Sequence, residues 1–285
     1  MTFCPFLSVS YLIFKLLEQV FSFLCARKTR HSCGKTFPNS ISTTMKKTLS
    51  FAAFLIFIAG YAQAQNAEEI VAKHIAAIGG NNWAGVEAVK SEAKISADGA
   101  PGMAIVMNML SVRDKSLRMD VSVMGMTQTT VLNGDGGWSV NPFANQMDPE
   151  PLTADQVKSM KDMTDVDGTL IGYKAKGYTV EYVGTEDVDG TEAIKIKVNK
   201  GDKRSEYSFF DPATYYEIKN IRIEEIDGKE SESATTYSNF KNQGGLVFPF
   251  TIQQNDPNMG GSTVTVTAVT VNPLVDAKVF AMPTK

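Results

Sequence analysis

Residues that could perform catalysis or bind a metal are few in this 285-residue chain. All three cysteines lie within the first 33 residues, and the two histidines are His31 and His74. After residue 64 only His74 remains, so a Cys/His pair or a His-based zinc site cannot be assembled there. The chain also lacks a G-x-S-x-G elbow, a P-loop and a dinucleotide-binding fingerprint. The sequence therefore predicts a protein that is not an enzyme and has no metal and no cofactor.

Two acidic stretches, TDVDGT from Thr164 and TEDVDGTE from Thr185, invite comparison with calcium-binding loops. A helix-flanked calcium loop needs three alternating oxygen ligands and a closing glutamate. Asp187, Asp189 and Gly190 instead lie between two segments with strand-like patterns, and Asp-Gly is typical of tight hairpin turns. We interpret this stretch as a turn, with a calcium loop as the alternative.

Methionine is unusually frequent in one part of the chain. Eleven of the 13 methionines follow Met45, and Met103, Ile105, Met107 and Met109 would share one face of a strand. Strands normally favour β-branched residues, whereas methionine is flexible and conforms to variable apolar ligands. An ordinary core that uses methionine is one interpretation, and a pliable binding wall is the other.

These side chains need a scaffold, and the sequence pattern predicts one helix followed by many strands. AEEIVAKHIAAIGG, from Ala67, has apolar residues at helical spacing, with His74 on the apolar side, where we expect a structural role. KSLRMDVSV then alternates strictly, so that Leu117, Met119, Val121 and Val123 face one way. Further strands are predicted at Met103–Leu110, Thr127–Leu132, Tyr178–Val183, Ser205–Phe210, Tyr215–Ile223, Ser231–Tyr237, Leu246–Ile252 and Thr263–Val269, and at the segment EAIKIKV.

A second short helix is predicted to interrupt the strands, beginning at about Thr153, which is a suitable N-cap. Turn motifs separate the strands at intervals of about 10 to 15 residues, which favours antiparallel hairpins over a parallel α/β sheet. The predicted fold is mainly β with two or three helices. One face of the sheet should be buried against those helices, and residues 65–285 should form a single domain.

Residues 45–64, MKKTLSFAAFLIFIAGYAQA, have the plan of a bacterial export signal. Two lysines precede the apolar run Leu49–Ala59, and Ala62–Ala64 supplies the small side chains that a signal peptidase requires. The apolar run is shorter than the about 20 residues that span a bilayer. We therefore expect cleavage before Gln65 and a periplasmic protein; a membrane anchor is the alternative.

The position of this signal bears on the 44 residues that precede it. An export signal acts at the start of a chain, so we interpret residues 1–44 as a mis-assigned upstream extension, with a membrane-associated leader as the alternative. Seven of the 28 Lys and Arg and one of the 31 Asp and Glu lie before Gln65, which leaves residues 65–285 with a formal charge of −9. Such an acidic chain argues against nucleic acid and anionic lipid headgroups as partners.

Two motifs resemble those of the LolA and LolB-like family of periplasmic lipoprotein carriers. VLNGDGGWSVNPFANQM is similar to its dG-x-x-x-W-x-Y-N-P-x-x-x-Q segment, and LSVRDKSLRMDV to the L-x-R-P-x-x-x-R segment upstream of it. Asp114 stands where the family usually has proline. The order of signal, helix, strands, Trp segment, inserted helix and further strands also agrees, over most of residues 67–271.

The resemblance implies an unclosed antiparallel β half-barrel, with helices acting as a lid over an apolar cavity. Arg113 matches the arginine that hydrogen-bonds to the lid, and we assign it the role of a latch. Trp138 and Phe143 match the characteristic strand and the turn after it. The predicted ligand-binding residues are Met103, Ile105, Met107, Met109, Met119, Val121, Val123, Trp138 and Phe143.

The predicted function is that of a periplasmic carrier or binding protein for apolar ligands, foremost lipoprotein acyl chains. An inner-membrane donor protein and an outer-membrane acceptor protein are the partners that the resemblance implies. One alternative is an envelope sensor or scaffold of the same fold that binds another protein, in which case its own side chains should fill the cavity. The other alternative is a hydrolase on an all-β scaffold, against which the lack of a Ser/His or metal constellation counts.

The signal generates a direct prediction. N-terminal sequencing of the exported protein should give Gln65 as the first residue, because the small side chains at Ala62 and Ala64 direct the peptidase there. Recovery of any peptide from residues 1–44 in the exported form would contradict this choice of start.

Overall fold

The computed structural model describes residues 66–99, 102–201, 204–226, 229–256 and 260–283. The predicted upstream extension, the signal and the residue at its cleavage site lie outside the described residues. Helix α1 occupies residues 66–77 and is followed by a 3-10 turn, Gly80–Gly85. Helix α2 spans Ala154–Lys161. Shorter 3-10 turns lie at Pro142–Ala144, Asp162–Thr164 and Ala277–Phe280.

Helix α2 begins where the sequence predicts. The Thr153 hydroxyl accepts a hydrogen bond from the Gln156 backbone N–H at 3.3 Å, and the Gln156 side chain accepts one from the Thr153 N–H at 2.8 Å. This reciprocal capping satisfies two backbone donors that a helix N-terminus leaves unpaired. The predicted N-cap is confirmed.

Thirteen strands form one antiparallel sheet in the described part of the chain. Two of these strands, at Ala88–Ala97 and Gln146–Pro151, were not predicted from the sequence, and a third, at Gly136–Asn141, was implied only by the family resemblance. The strands are β1 Ala88–Ala97, β2 Ile105–Val112, β3 Ser116–Val123, β4 Met126–Asn133, β5 Gly136–Asn141, β6 Gln146–Pro151, β7 Thr179–Val188, β8 Thr191–Gly201, β9 Arg204–Phe210, β10 Glu217–Ile226, β11 Lys229–Gln243, β12 Leu246–Asp256 and β13 Gly260–Val271.

The order of the strands resembles a barrel that is open at one seam. Each strand pairs with the next along the chain, and β1 pairs with β13, but β6 and β7 are the two edges of the sheet. The residues between those edges contain α2 and an irregular segment, 162–178, which we call the cover segment. The predicted fold class, an unclosed antiparallel sheet with helices, is confirmed.

One face of the sheet, which we call the inner face, packs against α1, α2 and the cover segment. Ile70 and Val71 of α1, with Leu170 of the cover segment, pack on Ile196 and Phe210 of β8 and β9. At the other end of the sheet, α2 packs through Val157 and Met160 on Met109, Leu117 and Leu132. Burial of these apolar faces supplies most of the driving force that holds the helices to the sheet.

The outer face has a smaller cover near the C-terminus. Trp138 of β5 packs on Phe280 and Val131, and its indole Nε1–H donates to the Phe280 carbonyl at 3.1 Å. Trp138 lies opposite Val131 in the register, while the neighbouring pair, Gly137 and Leu132, points to the inner face. The alternation of strand side chains therefore places Trp138 on the outer face.

The acidic stretch from Thr185 forms the turn between β7 and β8. Asp189 has a φ of 50°, and the Asp187 side chain accepts a hydrogen bond from the Gly190 N–H at 3.2 Å. An Asp-Gly hairpin turn explains both features. The interpretation of this stretch as a turn is confirmed.

The end of α1 is fixed by a close approach to the β11–β12 turn. Gly79 has a φ of 129°, and the space that its Cβ would occupy lies 2.7 Å from both the Gly245 carbonyl oxygen and Leu246 Cδ2. The Val247 N–H donates to the Ile78 carbonyl at 2.9 Å, and the Asn82 side chain donates to the Gly245 carbonyl at 3.1 Å. Glycine is required here both for its backbone conformation and for the contact.

Replacement of Gly79 should therefore loosen α1. We expect Gly79→Ala to lower the free energy of unfolding by about 1–3 kcal/mol, because a methyl group would push the turn away and strain the backbone. Urea denaturation followed by circular dichroism measures this change. Gly85→Ala is the control, since its Cβ would enter open space. Equal effects of the two substitutions would contradict the assigned contact.

Candidate ligand-binding site

Arg113 joins the sheet to two covering elements, the 3-10 turn after α1 and the cover segment. It lies in the β2–β3 turn, where its Nε–H donates to the Val86 carbonyl at 2.6 Å and its NH2 group to the Trp83 carbonyl at 2.8 Å. Its NH1 group forms an ion pair with Asp167 of the cover segment, and this bond raises the pKa of the guanidinium. The planar fork of arginine suits three such acceptors at once.

The ion-pair partner of Arg113 is Asp167 and not Asp114, the acidic residue that follows Arg113 in the sequence. Asp114 is exposed and has a φ of 50°, and its backbone N–H donates to the Thr164 carbonyl at 3.1 Å. The sequence could not indicate Asp167, because 54 residues separate it from Arg113. The β2–β3 turn therefore holds the cover segment through one backbone bond and one ion pair.

A cavity of about 390 Å³ lies between the cover and the sheet. Its apolar wall includes Ile78 and Trp83 from the end of α1, Ile171 from the cover segment, and Phe240 and Phe248 from β11 and β12. Trp83 and Phe248 contact each other edge to face, with ring centroids 5.5 Å apart. A concave apolar wall of this kind is typical of small-molecule sites.

The part of the cavity wall that β9 and β10 form is polar, which the sequence did not predict. Glu206 of β9 and Glu217 of β10 both line it. The Glu206 carboxylate accepts from Lys200 Nζ and from the Thr169 hydroxyl, each at 2.9 Å. Glu217 accepts from Asn220 Nδ2 at 3.0 Å. Burial raises the pKa of Glu217 to about 7.

His74 also borders the cavity, from α1. It is 6% exposed, packs on the Phe210 ring at 4.9 Å, and its Nδ1 lies 2.8 Å from the Tyr215 carbonyl oxygen. Because a carbonyl can only accept, Nδ1 must carry the proton. Burial lowers the pKa of His74, so the ring is neutral. This arrangement fits the predicted structural role.

Six of the nine predicted ligand-binding residues lie together on the inner face, outside this cavity. These six residues form direct pairs across β2 and β3, and each of them is partly buried. Met109 also packs under α2, while Met103 precedes β2 and is 40% exposed. The pairs are Ile105 with Val123, Met107 with Val121 and Met109 with Met119.

Trp138 and Phe143 are not brought to these methionines. Trp138 lies on the outer face, and Phe143, in the 3-10 turn after β5, is 44% exposed. The indole of Trp138 is already packed against Phe280, so its observed contact is with the C-terminal segment.

One row of side chains links the cavity to the methionine-rich strands. Cα pairing runs from Tyr237 on β11, which lines the cavity, through β12, β13, β1 and β2 to β3. Residues paired in this way share one face of a sheet. The row, which we call the apolar row, consists of Tyr237, Ile252, Val264, Ile95, Ile105 and Val123.

Comparison with solved structures identifies this architecture. The chain is similar to a LolA superfamily protein from Nitrosomonas europaea, with 14% identity and a TM-score of 0.50 over 75% of this chain and 97% of that one. It is also similar to a DUF1329 family protein from Desulfovibrio piger, with 11% identity and a TM-score of 0.52 over 77% and 97%. The chain has a LolA-like fold. No protein-family model matches the chain, and no curated protein sequence does.

Side chains that bind metals are not clustered in the described ranges, which contain no group of three or more His, Cys, Asp and Glu side chains arranged to hold a metal ion. Within the same ranges, no helix combines the length and the apolar character needed to cross a membrane.

The contacts of Arg113 predict how the LolA-like cover responds to its loss. Arg113→Leu should speed amide hydrogen exchange in residues 78–86 and 166–171, because it removes every side-chain bond that the guanidinium makes. Hydrogen bonds to a charged group contribute about 1.5–3 kcal/mol, so protection should fall by about one to two decades.

Arg118→Leu is the matched control. Arg118 is also partly buried and paired, but with Asp120 and with the Val279 carbonyl near the C-terminus. Its loss should loosen residues 277–280 and leave the cover unchanged. If Arg113→Leu leaves exchange in the cover as in the wild type, Arg113 does not hold it.

Proposed function

We propose that this protein binds the apolar part of an amphipathic ligand on its inner face and carries it through the periplasm. The observation that carries the proposal is the cavity of about 390 Å³, together with the apolar row that leads from it to the methionines. A scaffold that only bound another protein could fill this space with its own side chains. The fold likeness to a LolA superfamily protein supports a binding role over catalysis.

The chemistry of the face suits reversible binding. Each buried methylene contributes about 0.8 kcal/mol, so a fully enclosed chain would be released slowly. Ile105, Met107 and Val121 are only partly buried, so a chain lying on them would be partly enclosed. Methionine adapts to chains of different shape. Lipoprotein acyl chains are the ligands that we favour, and export would follow from the signal at residues 45–64.

Opening of the cover is the step that we assign to release. In this proposal the bonds from Arg113 to Asp167 and to the Trp83 carbonyl hold the cover in place, and such polar bonds can be exchanged for bonds to water at modest cost. A partner with a better apolar site could then accept the ligand. The proposal includes no chemical change to the ligand.

A charge placed on the inner face tests the binding role. Met107→Lys should weaken binding of an environment-sensitive apolar dye at least about tenfold, because an unpaired ammonium is costly beside a buried chain. An acylated peptide should displace the dye from the wild type. Fluorescence titration measures both effects.

Val106→Lys is the control, since Val106 is adjacent in β2, points to the other face and is 39% exposed. It should leave the dye affinity unchanged. If Met107→Lys folds as the wild type does and binds the dye equally well, this part of the inner face is not the binding surface.

A further inference from the structure

The polar side of the cavity contains a carboxylate, Glu217, that lacks a cationic partner among the described residues. No Lys or Arg among the described residues forms an ion pair with Glu217. Its neighbours are the neutral side chains of Asn220 and Ser208, and the nearby Glu206 carboxylate repels its charge. Glu217 lines the cavity, so the little surface that it exposes is available to a bound molecule.

A second acceptor stands on the opposite wall. Asp167 lines the same cavity, and its Oδ2 atom accepts from Arg113. Its Oδ1 atom is buried and has no hydrogen-bond partner in the part of the chain that the structure describes. Buried acceptors of this kind are rare because each costs about 1–3 kcal/mol. A ligand that donates hydrogen bonds would satisfy it.

The other charged groups around the cavity are already engaged. Glu206 is bound by Lys200, and Arg222 lies 3.5 Å from Glu206 and 3.4 Å from Glu224. Burial raises the pKa of the Tyr237 phenol, which therefore stays neutral. From α1, neutral His74 brings no charge. The uncompensated charge at the cavity is therefore negative.

We propose that the ligand is an amphiphile with a protonated amine as its head group, bound between Glu217 and Asp167, with its tail along the apolar row. This inference rests on the proposed function, because it names the ligand class of the same inner face. An ammonium supplies up to three donors and one positive charge, which matches the acceptors present. A carboxylate or phosphate head would instead be repelled by Glu217.

The apolar row gives the tail a path of suitable length. Strands in a sheet lie about 4.8 Å apart, so the five steps from Tyr237 to Val123 span about 24 Å. A second cavity of about 370 Å³, lined by Arg222, Tyr237 and Ile252, adjoins the first along the same strands. The head and the tail can therefore occupy one continuous surface.

Binding of such a head group should depend on pH. Because the pKa of Glu217 is raised to about 7, a proton occupies the carboxylate below that pH and competes with the ammonium. The amine itself stays protonated across this range. Affinity should therefore rise as the pH increases through about 7 and should fall as the pH decreases.

Isothermal titration with three ligands of one alkyl chain length tests this proposal. A long-chain alkylamine, the matching alcohol and the matching carboxylate are titrated into the wild type at pH about 6 and about 8. A short-chain amine without a tail is the fourth ligand. At the higher pH the long-chain amine should bind at least about tenfold more tightly than the alcohol, and the short amine should bind weakly.

Glu217→Gln preserves the shape of the side chain and removes its charge. We expect this variant to bind the long-chain amine and the alcohol alike and to lose the pH dependence, with the affinity for the alcohol unchanged. The control is Glu181→Gln on β7, an exposed position away from the cavity, which should behave as the wild type. Thermal unfolding verifies that each variant is folded.

The outcomes separate the head-group inference from the function on which it rests. Equal binding of amine and alcohol by the wild type at both pH values would overturn the inference and leave apolar binding intact. A preference for the carboxylate would overturn it as well. If no long-chain ligand binds, both the inference and the proposed function are wrong. The pH dependence of the affinity of the wild type for the long-chain amine tests the head-group inference without any variant.

Discussion

The seam between β6 and β7 is the constraint on which the rest of the structure depends. Thirteen antiparallel strands form one open sheet whose edge strands are β6 and β7, and between these two strands the chain leaves the sheet for residues 152–178. An open sheet of this size has an apolar inner face that must be covered, and residues 152–178, between β6 and β7, provide one part of that cover. Helix α1 provides another part. Because these two pieces come from distant parts of the chain, the cavity between them and the sheet cannot exist until the sheet has formed.

The bonds that Arg113 makes fix the position of the covering elements more than they add to the stability of the fold. A partly buried ion pair gains little net free energy, since both charges lose water, but loss of one partner leaves the other uncompensated. The bonds from Arg113 to the Trp83 and Val86 carbonyls define where the end of α1 lies, and the bond to Asp167 does the same for the cover segment. One side chain in a strand turn thus aligns two separate covering elements. Asp167 binds Arg113 and also lines the cavity, so a change in either contact alters the position of the same side chain.

The sequence predicts strands where large apolar residues alternate, and fails where they do not. Strand β1 has mostly small residues on its inner face, Ser91, Ala93 and Ala97 among them, and β6 contains Pro149 and Pro151, which only an edge strand tolerates. The methionine face was predictable because period-two spacing fixes which side chains share a face. The polar cavity was not, because its carboxylates come from β9, β10 and the cover segment, and only the folded register brings them together. The one available signal was an acidic residue at an inward position, as Glu206 is in SEYSFF.

The inner face therefore joins two kinds of chemistry with different consequences. Apolar contacts along the row are proportional to area and non-directional, so they give an affinity that depends on the length of the alkyl chain but do not select its head group. Discrimination must come from the few polar groups at one end, as in most binding sites. A buried carboxylate without a cation is unfavourable. Hydrogen bonds from Asn220 and Ser208 offset part of that cost for Glu217, and in the free protein uptake of a proton relieves the rest. A cationic head group relieves it in another way. Transfer of the Glu217 charge from water into the cavity costs free energy. The same transfer is the physical reason for the preference for a cationic head group that we assign to the site.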